Sequence, residues 1–190
     1  MVNIKKTDEE LVALSLQNRD FFAYIVDRYE EKMLRYVRRI TNLREEDLFD
    51  ILQDIFIKVY QNLNDYDQNL SFSSWIYRIA HNQAIDIYRK NKSRPQGNYI
   101  DVDDFIIENF ANDFDFVKDI DNKYLKENIK NILNHLDEKY KEILILKFFE
   151  EKDYKEISDI LKKPMGTVAT LINRAKKQFK IELEKSKINL

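Results

Sequence analysis

Asp153–Phe179 reads DYKEISDILKKPMGTVATLINRAKKQF, and the fold of the whole chain is decided by how this stretch is read. Asp153-Tyr-Lys-Glu156 opens a short helix that ends near Leu161. Lys162-Lys-Pro-Met165 interrupts it, because Pro164 cannot continue a helix interior, and Gly166-Thr167 leads into a second helix. Two short helices joined by so tight a turn predict a helix-turn-helix, the arrangement that lays its second helix in the major groove of DNA. At about 100° per residue, Val168, Leu171, Ile172, Ala175 and Phe179 gather on one side of that second helix as its core face. The opposite arc presents Thr170, Asn173, Arg174 and Lys177, with Thr167 and Lys176 at its borders. Hydroxyl, amide and cationic groups are the types that reach base edges and phosphates. An ordinary helical hairpin with a basic solvated face fits the same pattern.

Composition agrees with a helical chain. The 190 residues include only two glycines and two prolines, too few for the turns of a β-rich fold. There is no cysteine, which excludes disulfide scaffolds, thiolate zinc sites, iron–sulfur clusters and thiol nucleophiles. His81 and His135 stand far apart in the sequence, so no metal and no cofactor is expected. Charges interrupt every apolar stretch before membrane-spanning length, and MVNIKKTDEELVAL lacks the apolar run of a signal peptide. The expectation is a soluble, cytoplasmic protein that does not insert in a membrane.

Charge is unevenly distributed. Residues 1–94 carry no net charge, residues 95–121 carry −7, and residues 122–190 carry +5. The overall −2 therefore conceals a basic C-terminal part behind an acidic middle. Upstream, Thr7-Asp-Glu-Glu10 has the form of a capping box, and apolar residues follow at helical spacing from Leu11 to Ile40 and from Leu48 through Tyr60 to Leu63. Asn64–Ser74 is polar and reads as a loop before a helix over 74–92. Ser93-Arg-Pro-Gln-Gly97 punctuates the chain. Beyond it, acids alternate with Phe105, Phe110, Phe114 and Phe116 without a sustained period, which reads as a flexible acidic linker. Two small helical domains are expected, 1–94 and 122–190, joined by the linker 95–121.

Leu136–Phe149 (LDEKYKEILILKFF), Tyr154–Leu161 and Met165–Val168 together resemble region 4 of the sigma-70 family of RNA polymerase sigma factors, and most of all its extracytoplasmic-function (ECF) group. A second, independent resemblance lies upstream. Asp47–Tyr60 (DLFDILQDIFIKVY) is similar to sigma region 2.2. Phe72–Asn82 (FSSWIYRIAHN) with Ile85–Arg89 is similar to regions 2.3 and 2.4. Four positions depart from the family pattern. Ala169 and Leu171 stand where cations are usual, Lys162 where glycine is frequent, and His81 where arginine is usual, which makes one contact pH-dependent.

The resemblance implies an all-α protein that binds core RNA polymerase and directs promoter-specific initiation. Asp47, Asp50, Gln53 and Asp54 form an acidic and amide row on one helix, suited to a basic helical surface and implied to meet the polymerase β′ clamp, with the β subunit as a further partner. Asn64, Ser73, Ser74, Trp75, Arg78, Asn82, Arg89, Lys90, Lys92 and Arg94 are implied to capture melted minus-ten DNA. A lone Trp at a helix start also suits a core anchor. Thr167, Thr170, Asn173, Arg174, Lys176 and Lys177 are implied to read the minus-thirty-five element. An anti-sigma factor is the further partner expected.

No paired acid and base, nucleophile with its base, or glycine-rich phosphate loop emerges, so an enzyme is not expected. Two rivals have other functions. A sigma mimic would sequester an anti-sigma factor without directing transcription, which the missing cations at 169 and 171 favour. A helix-turn-helix repressor would leave the first 94 residues without a use.

Overall fold

The structure is a computed structural model and describes residues 5–41, 43–91, 100, 102–114 and 122–188. Among the described residues there are nine α-helices and no strand, as an all-α chain requires. They form two compact units. The first is Met1–Gly97 together with Asp159–Leu161, and the second is Asn98–Ser158 together with Lys162–Leu190.

The first unit holds α1 (Asp8–Gln17), α2 (Phe22–Thr41), α3 (Glu45–Gln61) and α4 (Phe72–Asn91). The expected capping box opens α1: the Thr7 hydroxyl accepts from the Glu10 amide at 3.2 Å, and Glu10 Oε2 accepts from the Thr7 amide at 2.7 Å. Asn18 ends α1 in extended backbone, and its side chain accepts from the Asp20 amide to start the 3-10 turn Arg19–Phe21. Along α2, Ile25, Tyr29, Met33, Tyr36 and Ile40 recur at steps of three and four and face α3 and α4. Tyr36, Met33, Ile55, Phe72 and Ile76 are fully buried at the centre. Each contributes roughly 1.5–3 kcal/mol of burial free energy.

The second unit contains α5 (Asp104–Phe114), α6 (Asn122–His135), α7 (Glu138–Leu144), the part of α8 (Tyr154–Leu161) up to Ser158, and α9 (Met165–Ile188). A π-helical stretch, Ile145–Phe149, continues α7, with the Glu150 amide reaching back five residues to the Ile145 carbonyl at 3.0 Å. Along this stretch and the end of α7, Ile143–Leu146, Phe148 and Phe149 are all buried.

The described part of 95–121 differs from the flexible linker expected there. Ile100 and Val102 are buried, and Asp103 caps α5 by accepting from the Ile106 amide at 2.9 Å. Ile106, Ile107, Phe110 and Phe114 are buried, and the Phe110 ring lies 4.6 Å from that of Phe148 and 5.0 Å from that of Phe179. Asn109 donates to the Phe148 carbonyl at 3.3 Å, and Lys126 pairs with Asp104 at 2.9 Å. An isolated helix of this length is marginal in water. The aromatic contacts with residues far along the chain stabilise it. Phe116 and the side chain of Phe105 lie outside the described residues.

Candidate nucleic-acid interface

The acidic row is borne on α3. Asp50, Gln53 and Asp54 are exposed and Asp47 is half-buried. Gln83 of α4 donates to Asp54 Oδ2 at 3.3 Å and accepts from Lys58, which fixes one end of the row to the next helix. Three large apolar side chains share this side of α3: Phe49, Ile57 and Tyr60 are 51 %, 52 % and 45 % exposed. With Val26 and Glu30 of α2, the Phe49, Leu52, Gln53, Phe56 and Ile57 side chains line an open groove of about 350 Å³. The sequence reading assigned Tyr60 to the core series and passed over Phe49 and Ile57. The missed signal is their spacing, since residues 49, 53, 57 and 60 repeat at helical intervals offset from Leu48, Leu52, Ile55 and Val59. An apolar stripe beside carboxylates is a surface suited to a helix that is both basic and apolar.

The polar stretch before α4 is an ordered loop. A 3-10 turn, Leu63–Asp65, carries exposed Asn64, and Leu63 beneath it is buried. Tyr66 donates to the Leu70 carbonyl at 2.6 Å, and its ring packs against Phe72 and Trp75, both at 5.4 Å. Asp67 Oδ1 accepts from both the amide and the side chain of Asn69, each at 2.9 Å. Ser71 caps α4, its Oγ accepting from the Ser74 amide at 3.1 Å and donating to Ser74 Oγ at 2.8 Å. Asn64, Asp65, Asp67, Gln68, Asn69 and Ser71 are left exposed along the outside. Burial and the nearby Glu9, Asp8 and Asp67 push the Tyr66 phenol up to about 12, so it keeps its proton for Leu70.

Two of the predicted minus-ten contacts must be corrected. Trp75 is 4 % exposed and Ser74 is 0 % exposed, so neither offers surface to a ligand in this structure. Trp75 packs with Tyr66 and Phe72 as the floor of the loop, and Ser74 is spent on the cap. The first turns of α4 are buried nearly all round. Farther along α4, Asn82 and Arg89 are exposed and Arg78 and Ser73 are half-buried. His81 is half-buried with its Nδ1 3.2 Å from the Tyr36 hydroxyl. Lys92, Arg94 and the side chain of Lys90 lie outside the described residues.

The helix-turn-helix has the local chemistry its sequence dictates. Asp153 and Glu156 form a capping box on α8, at 2.9 and 2.7 Å. Lys162 ends α8 in the left-handed region, φ 51° and ψ 46°, which explains why glycine suits this position. Ser158 ties the turn twice: its carbonyl accepts from the Lys163 amide at 3.1 Å, and its hydroxyl donates to the Lys163 carbonyl at 2.6 Å. The Pro164 carbonyl then accepts from Thr167 and Val168 to start α9.

Val168, Ile172, Ala175 and Phe179 are completely buried, as expected, while Leu171 is half-buried. Thr167, Thr170, Asn173, Arg174 and Lys177 are exposed on the other side, so the structure brings these five together. Thr170 donates its hydroxyl proton to the Gly166 carbonyl at 2.8 Å, which leaves its oxygen as an acceptor. Lys176 is placed differently. It is half-buried, with its ammonium 5.6 Å above the Phe148 ring.

Among the described residues no group of three or more metal-binding side chains converges, and no helix is long and apolar enough to cross a membrane. Two family models match the chain, Sigma-70 region 2 over residues 25–94 and Sigma-70 region 4 over residues 126–179. The ECF RNA polymerase sigma factor SigW of Bacillus subtilis is 33 % identical over 174 residues, spanning 87 % of this chain and 90 % of SigW. The ECF RNA polymerase sigma-E factor of Escherichia coli K12 is 30 % identical over 177 residues, 90 % of this chain and 91 % of that protein. The fold matches CnrH, solved in complex with the cytosolic domain of CnrY. The TM-score is 0.69 at 20 % identity, covering 95 % of this chain and 99 % of CnrH. It also matches the sigma factor RpoE of Bartonella quintana, solved with the anti-sigma factor NepR. There the TM-score is 0.60 at 17 % identity, over 86 % of this chain and 96 % of RpoE.

Proposed function

The chain belongs to the ECF group of the sigma-70 family of RNA polymerase sigma factors, and from that premise we propose that it directs core polymerase to a two-part promoter. The observation that carries the reading is that one chain holds both the region 2 and the region 4 match, over helices with an exposed polar face in each. Asp47, Asp50, Gln53 and Asp54 dock on the β′ clamp, and Phe49 and Ile57 add apolar contact at the same face. Desolvated apolar contacts supply most of the affinity of such an interface, while the carboxylates set orientation and partner choice.

Residues 1–94 act as the melting domain. Asn64, the exposed loop groups through Ser71, Ser73, Arg78, Asn82 and Arg89 hold the separated minus-ten strand, and Lys90, Lys92 and Arg94 extend the basic end toward phosphates. Trp75 and Ser74 support that loop from within. Residues 122–190 act as the upstream reader. Asn173 and Thr170 face base edges, and Arg174 and Lys177 neutralise phosphates, with Thr167 and Lys176 at the margins. The acidic stretch 95–121 connects the two domains and engages the basic interior of polymerase, which touches the β subunit. All bond-making chemistry belongs to polymerase, so the chain is not an enzyme. It acts in the cytoplasm and is held inactive by an anti-sigma factor, a reading supported by the partner seen with RpoE.

Selection of DNA from a random pool by core polymerase carrying this chain tests the proposal. A sigma factor enriches two separated motifs, and only in the presence of core. A repressor enriches one motif without polymerase, and a sigma mimic enriches none.

A further inference from the structure

One of the chain's two glycines stands at the head of α9, and nothing inside the molecule requires it there. Gly166 is the second residue of that helix. Its φ is not positive, so the backbone makes no use of the left-handed freedom that glycine has cheaply. A methyl group at this position would meet no atom of the chain within 4 Å, so no neighbour needs the space. Glycine is also a poorer helix former than alanine, so it weakens the turn that holds it. The contrast lies at the end of α8, where Lys162 occupies the left-handed region at φ 51°. The helix-turn-helix thus carries lysine where its own geometry suits glycine, and glycine where its geometry suits alanine.

The outer side of α9 supplies the reason. Gly166 is exposed, and positions 166, 170, 173 and 177 recur at helical steps, so it heads the row of Thr170, Asn173 and Lys177. The Thr170 hydroxyl folds back onto the Gly166 carbonyl at 2.8 Å. The row therefore begins low, with a bare Cα and a short side chain held against the helix, and only then come the longer groups. A recognition helix meets base edges with its N-terminal residues. Glycine is the residue that lets a backbone come close to a ligand.

We propose that Gly166 is a positioning residue for upstream recognition, the point where the main chain of α9 touches a base pair, its missing side chain setting how deeply the helix seats in the major groove. The inference rests on the reading of α9 as the upstream reader. A methyl group would reach about 1.5 Å beyond the Cα, whereas the hydrogen bonds that read bases tolerate only a few tenths of an ångström of lengthening.

The test uses holoenzyme made with the wild-type chain, Gly166→Ala or Gly166→Leu. Each is competed between the selected two-part template and the same template with only the upstream motif scrambled. Alanine and leucine are both strong helix formers, so the pair separates side-chain size from helix propensity. Gly166→Ala should lower the preference for the intact motif about tenfold, the cost of one lost base contact, and Gly166→Leu should abolish it. Affinity for the scrambled template should stay within about twofold of wild type, because non-specific binding runs through phosphates and needs no close seating. The thermal midpoint of the free chain should equal or exceed that of the wild type in both variants.

Four outcomes overturn the proposal. Unchanged preference in Gly166→Leu would mean that nothing approaches this turn. A lower thermal midpoint accompanying the lost preference would mean that the glycine serves the fold. Equal losses on the intact and scrambled templates would place the effect on phosphate binding instead of base contact. Wild-type holoenzyme indifferent to the upstream motif would overturn it together with the upstream reading, a result recognisable without either variant.

Discussion

Phe110→Ala decides whether the acidic stretch before α6 is a tether or part of a folded unit. Phe110 is fully buried, and its ring lies within 6 Å of four others: Phe114 at 5.4 Å, Phe148 at 4.6 Å, Phe149 at 5.8 Å and Phe179 at 5.0 Å. Truncating a phenylalanine so placed costs about 3–5 kcal/mol, the transfer free energy plus the cavity left behind. The loss has a ceiling. Once it exceeds the free energy that docks α5, the helix detaches and the rest of the unit stays folded. With a urea slope of about 1–2 kcal/mol/M for a unit of this size, the transition should fall by roughly 2 M. Urea unfolding of the full chain, followed by far-UV circular dichroism, measures this. Emission from Trp75, the chain's one tryptophan and buried in the first unit, serves as the control. Hydrogen exchange of the α5 amides separates detachment from global unfolding. Wild-type urea behaviour together with fast exchange at Ile106–Phe110 in the unsubstituted protein would refute the packing account and restore the flexible tether.

Four further expectations follow from other sites. Lys162→Gly should raise stability by about 0.5–1 kcal/mol, because the left-handed backbone there strains any side chain with a Cβ, and thermal unfolding measures it. Arg174→Ala and Lys177→Ala should each lower the salt slope of upstream DNA binding by about one unit, while Asn173→Ala relaxes base preference by roughly 1–3 kcal/mol, as read in salt-titrated anisotropy. Asp50→Arg with Asp54→Arg should abolish core binding through like-charge repulsion of several kcal/mol, and Phe49→Ala with Ile57→Ala should weaken it without changing its salt dependence, both read by pull-down against core polymerase. Burial lowers Lys141 to about 8. Its folded pKa is below its unfolded value of 10.5, so the unfolded state binds more protons between those values and stability should rise as pH climbs from 8 to 10.5. Lys141→Met should remove that rise in pH-dependent denaturation.

The sequence carried the architecture where its signals are local. The Thr7 capping box, the Pro164 break, the buried Val168, Ile172, Ala175 and Phe179, and the exposed Thr167, Thr170, Asn173, Arg174 and Lys177 opposite them depend only on neighbours a few residues away and stand in the structure as read, while Leu171 and Lys176 are half-buried. It failed where tertiary contacts decide. Phe110 and Phe114 are four residues apart on an acidic background, and nothing local reveals that Phe148 and Phe179 receive them. Ser74 reads as the end of a polar loop and Trp75 as the start of the helix after it, but their turn is enclosed by Tyr66 and Ser71. Phe49 and Ile57 were invisible as interface candidates because apolar residues on a helix are first counted toward the core. Tyr29 was legible only as a core residue, since its partner Asp8 lies 21 positions away.

Run-off transcription from a template bearing the selected two-part motif tests the central claim most directly. Purified core polymerase alone, and core with this chain, are compared on that template and on one with both motifs scrambled. The account predicts a single transcript of defined length that requires the chain, the motif and the intact acidic row, and that Asp50→Arg with Asp54→Arg abolishes. No transcript above core alone, or equal transcription from the scrambled template, would contradict it.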